Sequence, residues 1–143
     1  MFLDHQLIFS DAQALTAAAA STNYVDLSVA RDIGTGQSLY VFVSVDVALT
    51  DAGSNSTVSV DLYYDSTTTF TPDDTQRMFI IPATAAAGSL YFARINPILV
   101  TNYRYAELYY TMNNGDLTTG TVTAGIVMGV QKNFSYPDGI TIS

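Results

Sequence analysis

Few residues of this 143-residue chain can do acid–base or metal chemistry. It has one histidine, His5, one glutamate, Glu107, and no cysteine. The missing cysteines exclude disulfides, thiolate metal sites and a cysteine nucleophile together. A hydrolase triad needs a base held beside its nucleophile, and nothing in the spacing pairs His5 with one. A glycosidase needs two carboxyls with separated pKa values. Glu107 sits among tyrosines, as carboxyls of carbohydrate sites do, yet no aspartate is singled out as its partner. It reads instead as a charge that keeps a strand face soluble. Asp51, Ser54 and Asn55 share one loop, and Asp73 and Asp74 another. Neither follows the D-x-[DN]-x-[DN]-G calcium pattern, so both read as turn-forming acids that hydrogen-bond their local backbone. Gly34-Thr35-Gly36 has no lysine or helical segment after it, which makes it a turn rather than a phosphate loop. No enzymatic activity, cofactor or metal is expected.

The aromatic residues carry more information. Tyr103, Tyr105 and Tyr109 recur at two-residue spacing around Glu107, while Tyr40, Phe42, Tyr63, Tyr91 and Phe92 add further aromatic surface. Tyrosine suits interfaces, being apolar along its ring and polar at its tip. The three tyrosines therefore read in two ways, as a contact face or as a face packed beneath another layer.

The elements that must position them read as strands. Over residues 39–49 the odd positions are Leu39, Val41, Val43, Val45, Val47 and Leu49, an alternation that means one buried face. Residues 57–65 put Val58, Val60, Leu62 and Tyr64 on one face and Ser59, Asp61 and Tyr63 on the other. The turn composition of residues 51–55 predicts a hairpin between these two strands. Shorter strands are expected at 24–27, 78–81 and 90–95, the last two closed by Pro82 and Pro97. Residues 103–112 alternate again, with Ala106, Leu108, Tyr110 and Met112 inward. Residues 120–131 follow, with Val122, Ala124, Ile126, Met128 and Val130 inward. Asn113-Asn114-Gly115-Asp116 between them is a turn able to take positive φ. The alanine runs at 17–20 and 83–87 are too short for isolated helices. An all-β fold follows, an antiparallel β-sandwich or jelly roll with an extended N-terminal arm; a closed barrel is the alternative. The expected organisation is an arm over residues 1–21, a sandwich over 22–132 and a tail over 133–143.

Composition narrows the partners. The net charge is −8 and the pI is near 4.1, which argues against nucleic acid because phosphate contacts need Lys and Arg. Charged residues make up 13%, about half the ~25% of ordinary domains. No apolar run reaches the ~18 residues of a membrane span, and the start of the chain is not the basic n-region of a secretory signal, so neither a membrane partner nor export is expected. Low charge with abundant tyrosine suits a protein that buries outer surface in an assembly.

Phe9-Ser10-Asp11-Ala12-Gln13-Ala14-Leu15, Ala20-Ser21-Thr22-Asn23, Asp26-Leu27, and above all Ala30-Arg31-Asp32-Ile33-Gly34 with Gly36 and Leu39-Tyr40-Val41, stand in the order found in one family. Thr123-Ala124-Gly125-Ile126-Val127 continues the match more loosely. The chain resembles the jelly-roll capsid cement (decoration) proteins of tailed phages. That resemblance implies a virion protein, made in the host cytoplasm, on the outer surface of the phage head. Its partners would be the major capsid protein, bridged between capsomers, and itself, as a homodimer or alternatively a homotrimer. Phe2, Leu3, Leu7, Ile8 and Phe9 lack a period that would bury them locally, so they are expected to reach across a seam or exchange with a neighbour. Removing residues 2–9 should then lower head occupancy or oligomerisation and leave the fold intact. Arg31, paired with Asp32, is a candidate capsid contact or an intramolecular turn pair. Tyr103, Tyr105 and Tyr109 complete the expected contact set. The runner-up is a carbohydrate-binding sandwich module of a phage or bacterial adhesin, weakened by the absence of Trp.

Overall fold

Alternating strands bury one face each, and two such sheets must close on one another. The computed structural model describes residues 4–27, 38–96 and 103–128. After a 3-10 turn at His5–Leu7 come β1 (Ile8–Ala14), β2 (Ala19–Ala20), β3 (Val25–Asp26), β4 (Leu39–Thr50), β5 (Thr57–Asp65), β6 (Asp74–Pro82), β7 (Leu90–Arg94), β8 (Tyr105–Asn113) and β9 (Thr119–Met128). One sheet has the order β1-β9-β4-β7; the other has β2-β8-β5-β6, with β3 also on β8. All pairs are antiparallel. The pairings nest: β1 with β9, β2 and β3 with β8, β4 with β7, β5 with β6. A long hairpin rolled up in this way is a jelly roll.

The core lies between the sheets. Val41, Val43 and Val45 of β4 and Val122 and Ala124 of β9 meet Val58, Val60 and Leu62 of β5 and Leu108 and Tyr110 of β8, all fully buried. The expected alternation holds over these segments because the side-chain period of a strand is two and one face meets no water.

Three groups of expectations are corrected. Residues 51–55 do not close a hairpin: β4 and β5 belong to different sheets, and the turn hands the chain across the sandwich. Turn chemistry is the same whether the next strand pairs with the last or crosses to the other layer.

Val47, expected inward, is 51% exposed. The β4–β9 register shifts between Val45 and Val47 and again between Val47 and Thr50. The first shift turns Val47 outward and the second returns Leu49 to the core, as bulges do. Met128, also expected inward, is 71% exposed where its pairing with Leu39 reaches the rim.

The N-terminal arm of residues 1–21 is the third correction, since residues 8–20 build both sheets. β1 pairs with β9 and β2 with β8. Phe9 and Leu15 are 0% exposed. A polar network locks this segment across the sandwich. Ser10 Oγ lies 2.8 Å from the hydroxyl of Tyr110 on the opposite sheet, in a buried hydrogen bond, and donates to Gln13 Oε1 at 2.7 Å. Gln13 in turn donates to the Ala20 carbonyl and accepts from the Thr22 amide. Ser21 Oγ accepts from the Leu108 amide on β8. The missing periodicity at the start of the sequence reflects bulged pairing: the β1–β9 register shifts twice, and Ala12 sits at φ 47°. An irregular edge strand looks patternless in sequence and is still buried.

Candidate functional site

The outer face of the second sheet gathers the side chains that composition had singled out. Tyr105, Glu107 and Tyr109 stand on β8; Ser59, Asp61 and Tyr63 stand beside them on β5, with Tyr63 in register with Glu107 and Asp61 with Tyr109. Arg77 and Ile80 continue the face on β6, opposite Asp61 and Ser59. On the first sheet, the outward-facing Phe42 and Val127 are buried, while Val47, Leu90 and Met128 are exposed toward its edges and ends.

The face is held by ring contacts and ion pairs. Tyr63 and Tyr109 stack nearly parallel, with centroids 5.2 Å apart and planes 8° apart. Tyr24 meets Tyr105 edge-on at 5.7 Å and leans on Phe70 at 6.2 Å. Arg77 forms an ion pair with Asp61, and its Nη1 donates to Ser59 Oγ at 3.1 Å. Arg104 grips Asp26 with both arms of its guanidinium, Nε to Oδ1 at 2.9 Å and Nη2 to Oδ2 at 3.0 Å. The same guanidinium lies over the Tyr105 ring, 4.9 Å from its centroid. Ile80 is 53% exposed, an apolar point on an otherwise polar and aromatic surface.

Glu107 is half-buried here. Burial, then repulsion from Asp65, pushes its carboxyl above the usual range. Burial, then the Asp61 charge, also raises the Tyr63 phenol. These are the signs of an acidic, partly desolvated patch.

His5 stands exposed on the 3-10 turn. Among the described residues, no three of His, Cys, Asp and Glu are grouped so as to hold a metal ion. The loop acids do what turn chemistry asks of them. Asp51 Oδ2 accepts from the Asn55 and Ser56 amides. Hydrogen bonding from the Ser56 side chain, followed by backbone amides of Gly53, Ser56 and Asn55, lowers its pKa to about 2. Asp65 accepts from Thr67 and Thr71, and Asp73 from Ser66. A small apolar cavity at one end of the core, lined by Leu27, Leu39, Leu62 and Tyr64 among others, brings no convergent polar groups. Among the described residues, the Tyr64 hydroxyl is buried without a hydrogen-bond partner, and burial raises its pKa.

The expected contact residues fall in different places. Phe9 belongs to the core and cannot meet a partner; Leu7 and Ile8 are half-buried, and Leu7 packs against the core. Tyr105 and Tyr109 share the outer face. Tyr103 leaves that group: it precedes the ladder, stacks on Tyr64 at 6.1 Å and packs against the core. Alternation has no hold on a residue before the first strand pairing. Phe2, Leu3, Arg31 and the Gly34–Gly36 turn lie outside the described residues, as does the tail over 133–143. Tyr63 is the aromatic residue of this face that the sequence does not set beside Glu107. The alternation of β5 gives its facing, but only the β5–β8 register gives its neighbours.

The Bbp16 family model matches residues 9–126. No curated protein matches the chain. The match runs from within β1 to within β9, most of the chain, and the protein belongs to the Bbp16 family.

Proposed function

We propose that this Bbp16-family protein is a structural virion protein, a cement protein that binds the outer surface of a phage head's major capsid protein shell and bridges neighbouring capsomers. The observation that carries the reading is the half-exposed face of Tyr105, Glu107, Tyr109 and Tyr63 on the second sheet, with Ile80 beside it. Aromatic residues, an apolar point and a few fixed charges are the makings of a protein interface. The nested jelly-roll pairing and the motifs shared with phage cement proteins support the same reading. Binding would need no catalytic step and no cofactor. Each subunit contributes modest affinity, and homo-oligomers on a repeating lattice multiply it by engaging two or three capsomers together.

The test is incubation of the purified protein with shells that lack it, followed by sedimentation and imaging. Density at regular lattice positions is the expected result, and its symmetry distinguishes a dimer from a trimer. Failure to bind expanded shells overturns the proposal. Glycan-array binding would then bring forward the carbohydrate-binding module. Against that alternative, Tyr63 and Tyr109 each turn one ring face toward the other, leaving less free platform for a sugar.

A further inference from the structure

Among the described residues, Glu107 is a carboxylate on the outer face of the second sheet that forms no ion pair. Tyr63 faces it across β5, and Tyr105 and Tyr109 flank it along β8. Among the described residues, no side chain or amide donates a hydrogen bond to its carboxylate or pairs with it as an ion. Both arginines of the face are committed elsewhere, Arg77 to Asp61 and Arg104 to Asp26. The other charge acting on Glu107 is Asp65, which is negative and repels it. A carboxylate partly withdrawn from water with no cation beside it costs stability. A partner that brings the cation would recover that cost.

The fold already contains the arrangement that would satisfy it. Arg104 pairs with Asp26 through both arms of its guanidinium and covers the Tyr105 ring. Carboxylate, tyrosine and arginine are complete there, whereas around Glu107 the carboxylate and the tyrosines are present and no arginine among the described residues pairs with it. A guanidinium fits better than an ammonium, because it is planar, weakly hydrated, and able to stack on a ring while pairing with a carboxylate.

We infer that this face docks on a basic protein surface which inserts an arginine side chain against Glu107 and its tyrosines. The inference rests on the proposed docking role of the face and names its chemistry. The net charge of −8 favours approach of a basic surface and disfavours a second copy of this acidic chain as the occupant.

The experiment uses the full chain in two arms. In the first, shells lacking the protein are titrated with wild type, Glu107→Gln and Tyr109→Ser. The expected result is binding at least about tenfold weaker in both variants, with a flatter salt dependence in Glu107→Gln. Loss in Tyr109→Ser with wild-type affinity in Glu107→Gln overturns the arginine inference and leaves the docking face standing. Wild-type affinity in both overturns the face itself. In the second arm, which needs no shell, N-acetyl-arginine amide and its citrulline counterpart are titrated into labelled protein by NMR. Shifts at residues 63, 105, 107 and 109 with arginine alone, abolished in Glu107→Gln, are expected. No shift there, or equal shifts with citrulline, overturns the inference. So does loss of a wild-type oligomer in Glu107→Gln by sedimentation velocity, which would assign the face to a second copy.

Discussion

Replacing Phe9 with alanine asks whether the start of the chain is an arm or part of the fold. Phe9 is 0% exposed and belongs to the continuous core that joins the two sheets. Truncating a fully buried phenylalanine removes its transfer free energy and leaves a cavity, about 3–5 kcal/mol together. Bulged pairing of β1 with β9 brackets the site, Ile8 with Gly125 and Ser10 with Ala124, so the backbone has little freedom to collapse into the space. Against the roughly 5–15 kcal/mol of a typical domain, such a loss is large. It corresponds to a fall in Tm of roughly 10–20 °C for a domain of this size. Urea titration followed by far-UV circular dichroism reads it directly. The midpoint should fall while the slope stays constant, because the surface exposed on unfolding changes little. Phe9→Leu should recover most of the loss, since volume is largely kept. A loss below about 1 kcal/mol for Phe9→Ala would mean that Phe9 leaves the core in solution, and the account of β1 as a sandwich strand would fail.

Other outcomes follow from single contacts. At Gly125 an added Cβ would lie 2.7 Å from the Leu7 carbonyl and 3.0 Å from Phe42 Cε1. Gly125→Ala should therefore cost roughly 1–3 kcal/mol, measured by the same titration; an unchanged midpoint would mean that Leu7 does not lie over β9. Tyr110→Phe removes one side of the buried contact with Ser10, which keeps its bond to Gln13, so a loss near 1 kcal/mol is expected. The Asp51 carboxyl should titrate by NMR with a midpoint of about 2. Its folded pKa lies below the unfolded value, so its stabilisation is present above that value and lost as pH falls through the folded one. Asp51→Asn should accordingly lower Tm at pH 7, with the difference closing toward pH 2. Glu107 has the opposite sign. Its raised pKa means the folded state prefers the protonated form, so its charge costs stability once pH exceeds the folded pKa. Glu107→Gln should raise Tm at pH 7 and leave it unchanged well below the unfolded pKa.

The faces of β4, β5, β8 and β9 were legible in the sequence over most of their length, because alternation is a local property: Val41, Val43 and Val45 point inward on β4 as their spacing requires, and Tyr105, Glu107 and Tyr109 point outward on β8. So were the turns, since Asp51 bonds its own loop and Asn114 and Gly115 take positive φ through chemistry that acts within a few residues. Which strands become neighbours was decided only in three dimensions. The turn at residues 51–55 carries the same composition whether it closes a hairpin or crosses between sheets, and here it crosses. The register shifts that turn Val47 outward are set by β9, more than seventy positions away. Ser10 and Tyr110 meet over a sequence separation of 100 residues, and no periodicity in the first nine residues could announce that Phe9 is core. The candidate site divides the same way. The tyrosines around Glu107 are written along β8, whereas the stacking of Tyr63 on Tyr109 and the lack of a cation beside Glu107 among the described residues depend on the register of β5 against β8 and on which acids Arg77 and Arg104 reach. Those are long-range pairings, fixed by burying one face of every strand at once.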